Sequence, residues 1–123
     1  MVSADSQSRF DAAVLAAERG EEEAVLAWLE GGERADATYE RGKASGLTHE
    51  VSGLTLLMRA AGAGHERVVE LLLRRGAEIN LQRSDGVTAL MCAASQGHSA
   101  VVRRLLRAGA DTTARTTSGR TAL

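Results

Sequence analysis

The sequence predicts an all-α fold, a solenoid of stacked helix–turn–helix units joined by hairpin loops, with about three units and the start of a fourth. Three observations lead there. Gly53, Gly86 and Gly119 recur at a spacing of 33 residues, and a fixed period in that range marks small units that cannot bury a face alone. The stretches GLTLLMRAAGAGHERVVELLLRRGAEIN from Gly53 and GVTALMCAASQGHSAVVRRLLRAGADTT from Gly86 share most of their framework positions. Apolar residues within them fall at helical spacing, as in Val68, Val69, Leu71, Leu72 and Leu73 or Val101, Val102, Leu105 and Leu106, which gives each second helix a broad apolar stripe.

Taken in order, residues 1–8 are polar and are expected to form a flexible N-terminus. Residues 9–52 read as a divergent first unit, because RFDAAVLAAERGEEEAVLAWLEGG superposes on the second with Gly20 on Gly64 and Gly32 on Gly76, a shift of 44 in place of 33. The additional 11 residues follow Asp36. The segment 37–52, with Gly42, Ser45 and Gly46, is therefore expected to be an enlarged finger, either a mobile protrusion or a longer β-hairpin. Units follow at 53–85 and 86–118. In each, Thr55 or Thr88 is placed to cap a short first helix, and Ala60-Ala61 or Ala93-Ala94 keep that helix slim enough for close approach. Gly64 or Gly97 turns the chain, and Gly76 or Gly109 stops the second helix by taking the left-handed cap conformation. Residues 119–123 open an incomplete unit, which leaves Ala94, Val102 and Leu106 partly exposed. A longer array, a partner or self-association through this uncapped C-terminal edge would cover them.

Composition narrows the function classes. The chain has 123 residues, 44% hydrophobic and 25% charged, as expected for one globular domain. Apolar runs such as VVELLL are far shorter than the roughly 20 residues of a membrane span, and the polar start lacks a signal-peptide core. The sole cysteine, Cys92, permits no intrachain disulfide, so an intracellular setting, cytoplasmic or nuclear, is the expectation. Residues 1–52 carry 11 Asp/Glu against 5 Lys/Arg, a net −6, whereas residues 53–123 carry 5 against 10, a net +5. Such a gradient can orient charged partners. Nucleic acid is a poor fit, since Phe10, Trp28 and Tyr39 are the only aromatics available for stacking.

Catalytic and metal motifs fail on inspection, so no enzymatic activity, small-molecule substrate, cofactor or metal is expected. HERVV from His65 resembles the start of a zinc-protease helix but has Val69 at the second ligand position. GAGHER has too few glycines for a dinucleotide loop and follows a helix. There is no G-x-S-x-G, and Cys92 beside Ala93-Ala94 reads as a small buried thiol. His49 lies in the finger and reads as solvated. Glu21–Glu23 at a helix start, and Arg74-Arg75, Arg103-Arg104 and Arg107 toward helix ends, complement helix dipoles. Trp28 aligns with Leu72 and reads as core.

These residues resemble the ankyrin repeat, whose pattern G-x-T-P-L-H-x-A-A-x-x-G-H-x-x-V-V-x-L-L-L-x-x-G-A-D-V-N is matched at most fixed positions. Leu56 and Ala89 replace the proline, and Met58 and Met91 the first histidine, so lower stability is expected. The resemblance implies that His65 and His98 hydrogen-bond between neighbouring units. It also implies a non-catalytic protein–protein interaction module with a concave groove lined by first helices and finger tips. Carried over residue by residue, the partner-binding positions are Glu18 and Arg19, with Leu54, Gly62 and Ala63 in the second unit. In the third they are Gln82, Ser84, Asp85, Val87, Ser95 and Gln96, and Arg115, Thr117, Ser118 and Arg120 continue the line; Tyr39 and Arg41 add the enlarged finger. A protein segment with acidic and small apolar side chains suits this set. Two alternatives stand beside it: a recruiting part of a larger enzyme or adaptor, and a substrate of asparaginyl hydroxylation at Asn80, whose context LLLRRGAEIN is similar to that of family members so modified.

Overall fold

The computed structural model describes residues 4–31, 38–41 and 51–122, with side chains described for 10–31 and 55–122. Helices α1 (Ala4–Arg19) and α2 (Glu22–Glu30) form the first pair. Strands β1 (Thr38–Arg41) and β2 (Val51–Thr55) follow, then α3 (Leu56–Ala63) with α4 (Glu66–Arg74) and α5 (Ala89–Ser95) with α6 (Ser99–Arg107). α3 packs on both α1 and α5, and α4 on both α2 and α6. The first helices of the pairs therefore form one layer and the second helices another, as expected for an all-α solenoid.

The capping chemistry explains the helix bounds. Thr55 and Thr88 are extended at φ −112° and −107°, and their hydroxyls accept from Met58 N at 3.2 Å and Met91 N at 3.3 Å. Each such cap contributes about 1 kcal/mol. Gly76 and Gly109 take φ 90° and 94° just past α4 and α6, and the following N–H groups close back onto Leu72 O and Leu105 O, both at 3.0 Å. α1 begins at Ala4, inside the stretch expected to be flexible; no Gly or Pro interrupts residues 4–19, so helix continues through them. The finger contributes a two-stranded antiparallel sheet, Thr38 opposite Thr55, Tyr39 opposite Leu54 and Arg41 opposite Val51, with a register irregularity between Tyr39 and Arg41. Its tip, residues 42–50, and Gly32 lie outside the described residues.

Packing follows the two layers. The large fully buried side chains come mostly from the second helices, Val25, Val68, Val69, Leu72, Val101 and Leu105, joined by Leu56 and Leu90. First helices meet through Ala16, Ala17, Ala60, Ala61 and Ala93, all at most 2% exposed, and such short side chains let helix axes approach closely. Trp28 is core as expected, 6% exposed and tilted against Phe10 at a ring separation of 5.5 Å. Ala94 and Val102 are half-buried and Leu106 is exposed.

Each junction between pairs is locked by one histidine. His65 Nε2 donates to Glu18 O at 2.7 Å, and His98 Nε2 donates to Gly62 O at 3.1 Å. A carbonyl can only accept, so the Nε2 proton is present in both rings. The rings occupy space that glycine leaves: a Cβ at Gly20 would stand 2.5 Å from His65 Nδ1, and one at Gly64 2.7 Å from His98 Nδ1. Both glycines also have positive φ, 78° and 82°. Turn and joint thus impose the same residue for two reasons.

Candidate interaction groove

The loops after α4 and α6 end in matching turns. Arg83 N donates to Val87 O at 3.0 Å, and 33 residues on Thr116 N donates to Arg120 O at 2.8 Å. The two turns are fastened together, since Thr117 N donates to Asp85 O at 2.9 Å and Gln82 Nε2 donates to both Gly86 O and Arg115 O, at 2.9 and 3.2 Å. A Cβ at Gly86 would lie 2.8 Å from Arg115 O, so stacking of the turns requires glycine there. Beside α3 and α5 they enclose a groove of about 780 Å³. Met58, Arg59 and Gly62 from α3 and Met91, Cys92 and Ser95 from α5 supply its floor, and the turns supply its wall.

The expected partner-binding residues divide into three groups. Glu18, Asp85, Val87, Ser95 and Gln96 line the groove, as do Gly62, Ala63, Thr117, Ser118 and Arg120. Arg19, Gln82, Ser84 and Arg115 do not. Gln82 is engaged in bracing the fingers. Tyr39, Arg41 and Leu54 belong to the hairpin, and their side chains lie outside the described residues, as does His49.

Four floor residues, Met58, Arg59, Met91 and Cys92, were not picked out as groove positions from sequence. Arg59 occupies the site of Cys92 one unit earlier. Its Nε is buried without a hydrogen-bond acceptor, and Glu18 Oε2 stands 3.7 Å away, beyond hydrogen-bond reach. A buried donor left unmatched costs roughly 1–3 kcal/mol, whereas the 28% of the Arg59 side chain that is exposed presents positive charge to the groove. Cys92, expected as a small buried thiol, is partly buried against the core and also lines the groove beside Gly62, which has no side chain to cover it. Burial still pushes its thiol up from the ordinary value, which keeps it protonated and weakly nucleophilic.

Charge on the wall is fixed by one pair. Arg83 Nε and Nη2 donate to Asp85 Oδ1 and Oδ2 at 2.7 and 2.9 Å, a bidentate geometry that holds the Asp85 carboxyl below its ordinary value. Val87 N adds a third bond to Oδ1 at 3.3 Å. Asn80, the modification candidate, is exposed, and its Oδ1 accepts from Asp111 N at 2.8 Å across the junction. Asp111 in turn binds Thr113 through N–H and hydroxyl, at 2.8 and 2.6 Å, which lowers its own pKa. On the opposite layer Arg104 joins Glu66 at 2.7 Å and Glu70 at 3.3 Å.

Among the described residues no helix is long and apolar enough to cross a membrane. No curated protein matches the chain significantly. The family model for ankyrin repeats, in three copies, matches residues 13–116, a span that runs from the second half of α1 through α6 and includes the first of the two finger turns. Ankyrin repeats are generally protein–protein interaction modules, typically without catalysis. With helix pairs in two layers, histidine joints and fingers over a groove all inside or adjoining the matched span, the chain belongs to the ankyrin-repeat family.

Proposed function

We propose that the chain binds a partner protein through the concave groove, and that the bound segment presents an acidic side chain to Arg59 flanked by small apolar residues. The observation that carries this reading is the part-exposed Arg59 guanidinium on a floor otherwise formed by methionine, glycine, cysteine and serine. Arg120 on the wall adds positive charge, whereas Glu18 and Asp85 set a limit on how much acid the site takes. Small floor residues leave room for a side chain to enter, and a partly desolvated guanidinium then contributes most to selectivity.

Selection from a random peptide library tests it. Wild-type protein is expected to enrich Asp and Glu at one position, and Arg59→Glu to abolish that enrichment, whereas Arg67→Glu on the exposed outer layer leaves it intact. Peptides without acidic bias, or a bias untouched by Arg59→Glu, would refute the groove chemistry. Circular dichroism confirms that each variant is folded.

A further inference from the structure

Gly62 carries a cost that the fold does not explain. It lies inside α3, where glycine is less favourable than alanine because it gives up more backbone freedom on folding. A left-handed backbone or a close neighbour accounts for Gly20, Gly64 and Gly86, and Gly62 has neither. Its φ is not positive, and a Cβ there would meet only Cys92 Cβ, at 3.6 Å, an ordinary van der Waals contact. Alanine would fit and would hold the helix better. What glycine provides instead is space on the groove floor. The same position carries Glu18 in α1 and Ser95 in α5, so the floor dips at its middle helix. Arg59, one turn earlier on the same face of α3, and Cys92 border the dip, whereas Met58 and Met91, 2% and 8% exposed, present little surface to it. Polar groups there are already engaged. Gly62 O accepts from His98 Nε2 at 3.1 Å, and the Ser95 hydroxyl donates to Cys92 O at 3.1 Å. The surface left to a ligand is the Gly62 Cα and the Cys92 side chain, which is apolar in character.

We propose, on the reading of the groove given above, that this dip is a size-selective subsite in which the bound protein segment seats one branched aliphatic side chain, of valine size, close to the acidic residue that meets Arg59. A polar side chain entering it would lose water without gaining a partner. A valine loses nothing of that kind and gains contact with Cys92 and the bare Gly62 backbone. Alanine at position 62 would raise the floor by one methyl group, and an apolar subsite discriminates a difference of that size by about tenfold. Gly62 is thus a specificity-determining residue, and the helix stability it gives up is exchanged for selectivity.

Gly62→Ala tests this through two readouts that a purely structural glycine would not move in opposite directions. The Tm of the variant is expected to rise, by about 3 °C. In selection from a random peptide library displayed on phage, wild type should enrich Val at one position near the acidic one. Gly62→Ala should shift that position to Ala or Gly and leave the acidic enrichment in place. For one selected peptide made synthetically, Gly62→Ala should weaken binding about tenfold, and the same peptide with Ala in place of its Val should bind wild type and variant alike. A fall in Tm would mean that the fold itself requires glycine, and overturns the proposal. So does a size preference that Gly62→Ala leaves unchanged while the acidic enrichment persists, an outcome that spares the groove reading. Absence of acidic enrichment in wild type refutes the groove reading instead, and the subsite then survives only if the size shift is still seen. A wild type that selects no peptide overturns both.

Discussion

The second and third helix pairs have nearly the same sequence pattern and opposite fates on one face. Ala61 and Val69 are fully buried at 0% exposure, and Leu29, Ala17 and Val25 in the first pair are at most 7% exposed. Their counterparts in the last pair, Ala94, Val102 and Leu106, are half-buried or, for Leu106, 38% exposed. The glycine turns show the same contrast. A Cβ at Gly64 would collide with the His98 ring, whereas one at Gly97 meets nothing within 4 Å. In a stacked protein the energetic role of a residue is set by the unit that follows it, because stability resides largely in the interfaces.

The sharpest way to break the comparison is at the glycines. Gly64→Ala is expected to cost about 2–3 kcal/mol, from left-handed backbone strain together with loss of the His98 hydrogen bond. Gly97→Ala, with similar strain at φ 73° but open space, should cost about 1 kcal/mol. Urea unfolding followed by circular dichroism measures both. In a His98→Ala background the ring is gone, so the penalty of Gly64→Ala should fall to that of Gly97→Ala; equal penalties with and without the ring would show that the joint carries no strain. The valines give the next contrast, with Val69→Ala costing about 2 kcal/mol and Val102→Ala about 1 kcal/mol or less, since a half-exposed side chain loses less burial and leaves no closed cavity. Identical losses at the two sites would mean that the last face is covered in solution.

Smaller effects belong to the charges. Arg104→Ala removes a half-buried bridge to Glu66 and Glu70, so its fall in Tm should be below that of Val102→Ala and should shrink in high salt. Asp85 gives a pH signature. Its folded pKa is depressed from 3.8, chiefly by Arg83, so its stabilisation is complete above the unfolded value and is lost as pH falls through the lower folded value. Comparing melting of wild type and Asp85→Asn from neutral to strongly acidic pH should show the gap narrowing only below about pH 4. A constant gap would remove the ion pair from the account.

The frame was legible because it is made of local chemistry. Thr55, Thr88, Gly76 and Gly109 act within a few residues of themselves, and the period of 33 exposes their repetition. The histidine joints entered through the family resemblance, and the geometry supplies their physical content, a ring seated over a glycine. The groove was harder to read because its lining depends on distant neighbours. Gln82 looked like a contact residue on an exposed finger, yet its amide meets a carbonyl 33 residues away. Arg59 and Cys92 occupy a position with no pattern of its own, where burial is decided by the absent side chain of Gly62 and by the fingers opposite. The division of the charge between the halves was visible as a gradient, whereas the pairing of Glu22 with Arg67 and of Glu66 with Arg104 required the structure.

The seat of a histidine ring over a glycine makes the molecule modular. His65 on Gly20 and His98 on Gly64 are the same joint made twice. A duplicate of residues 53–85 inserted after residue 85 would bring its own His65 to the original Gly64 and its own Arg67 to the original Glu66, while its Gly64 would receive His98. Lengthening the array therefore needs no new interface to be invented, and the reach of the groove becomes a quantity that gene duplication can change in whole steps of one repeat.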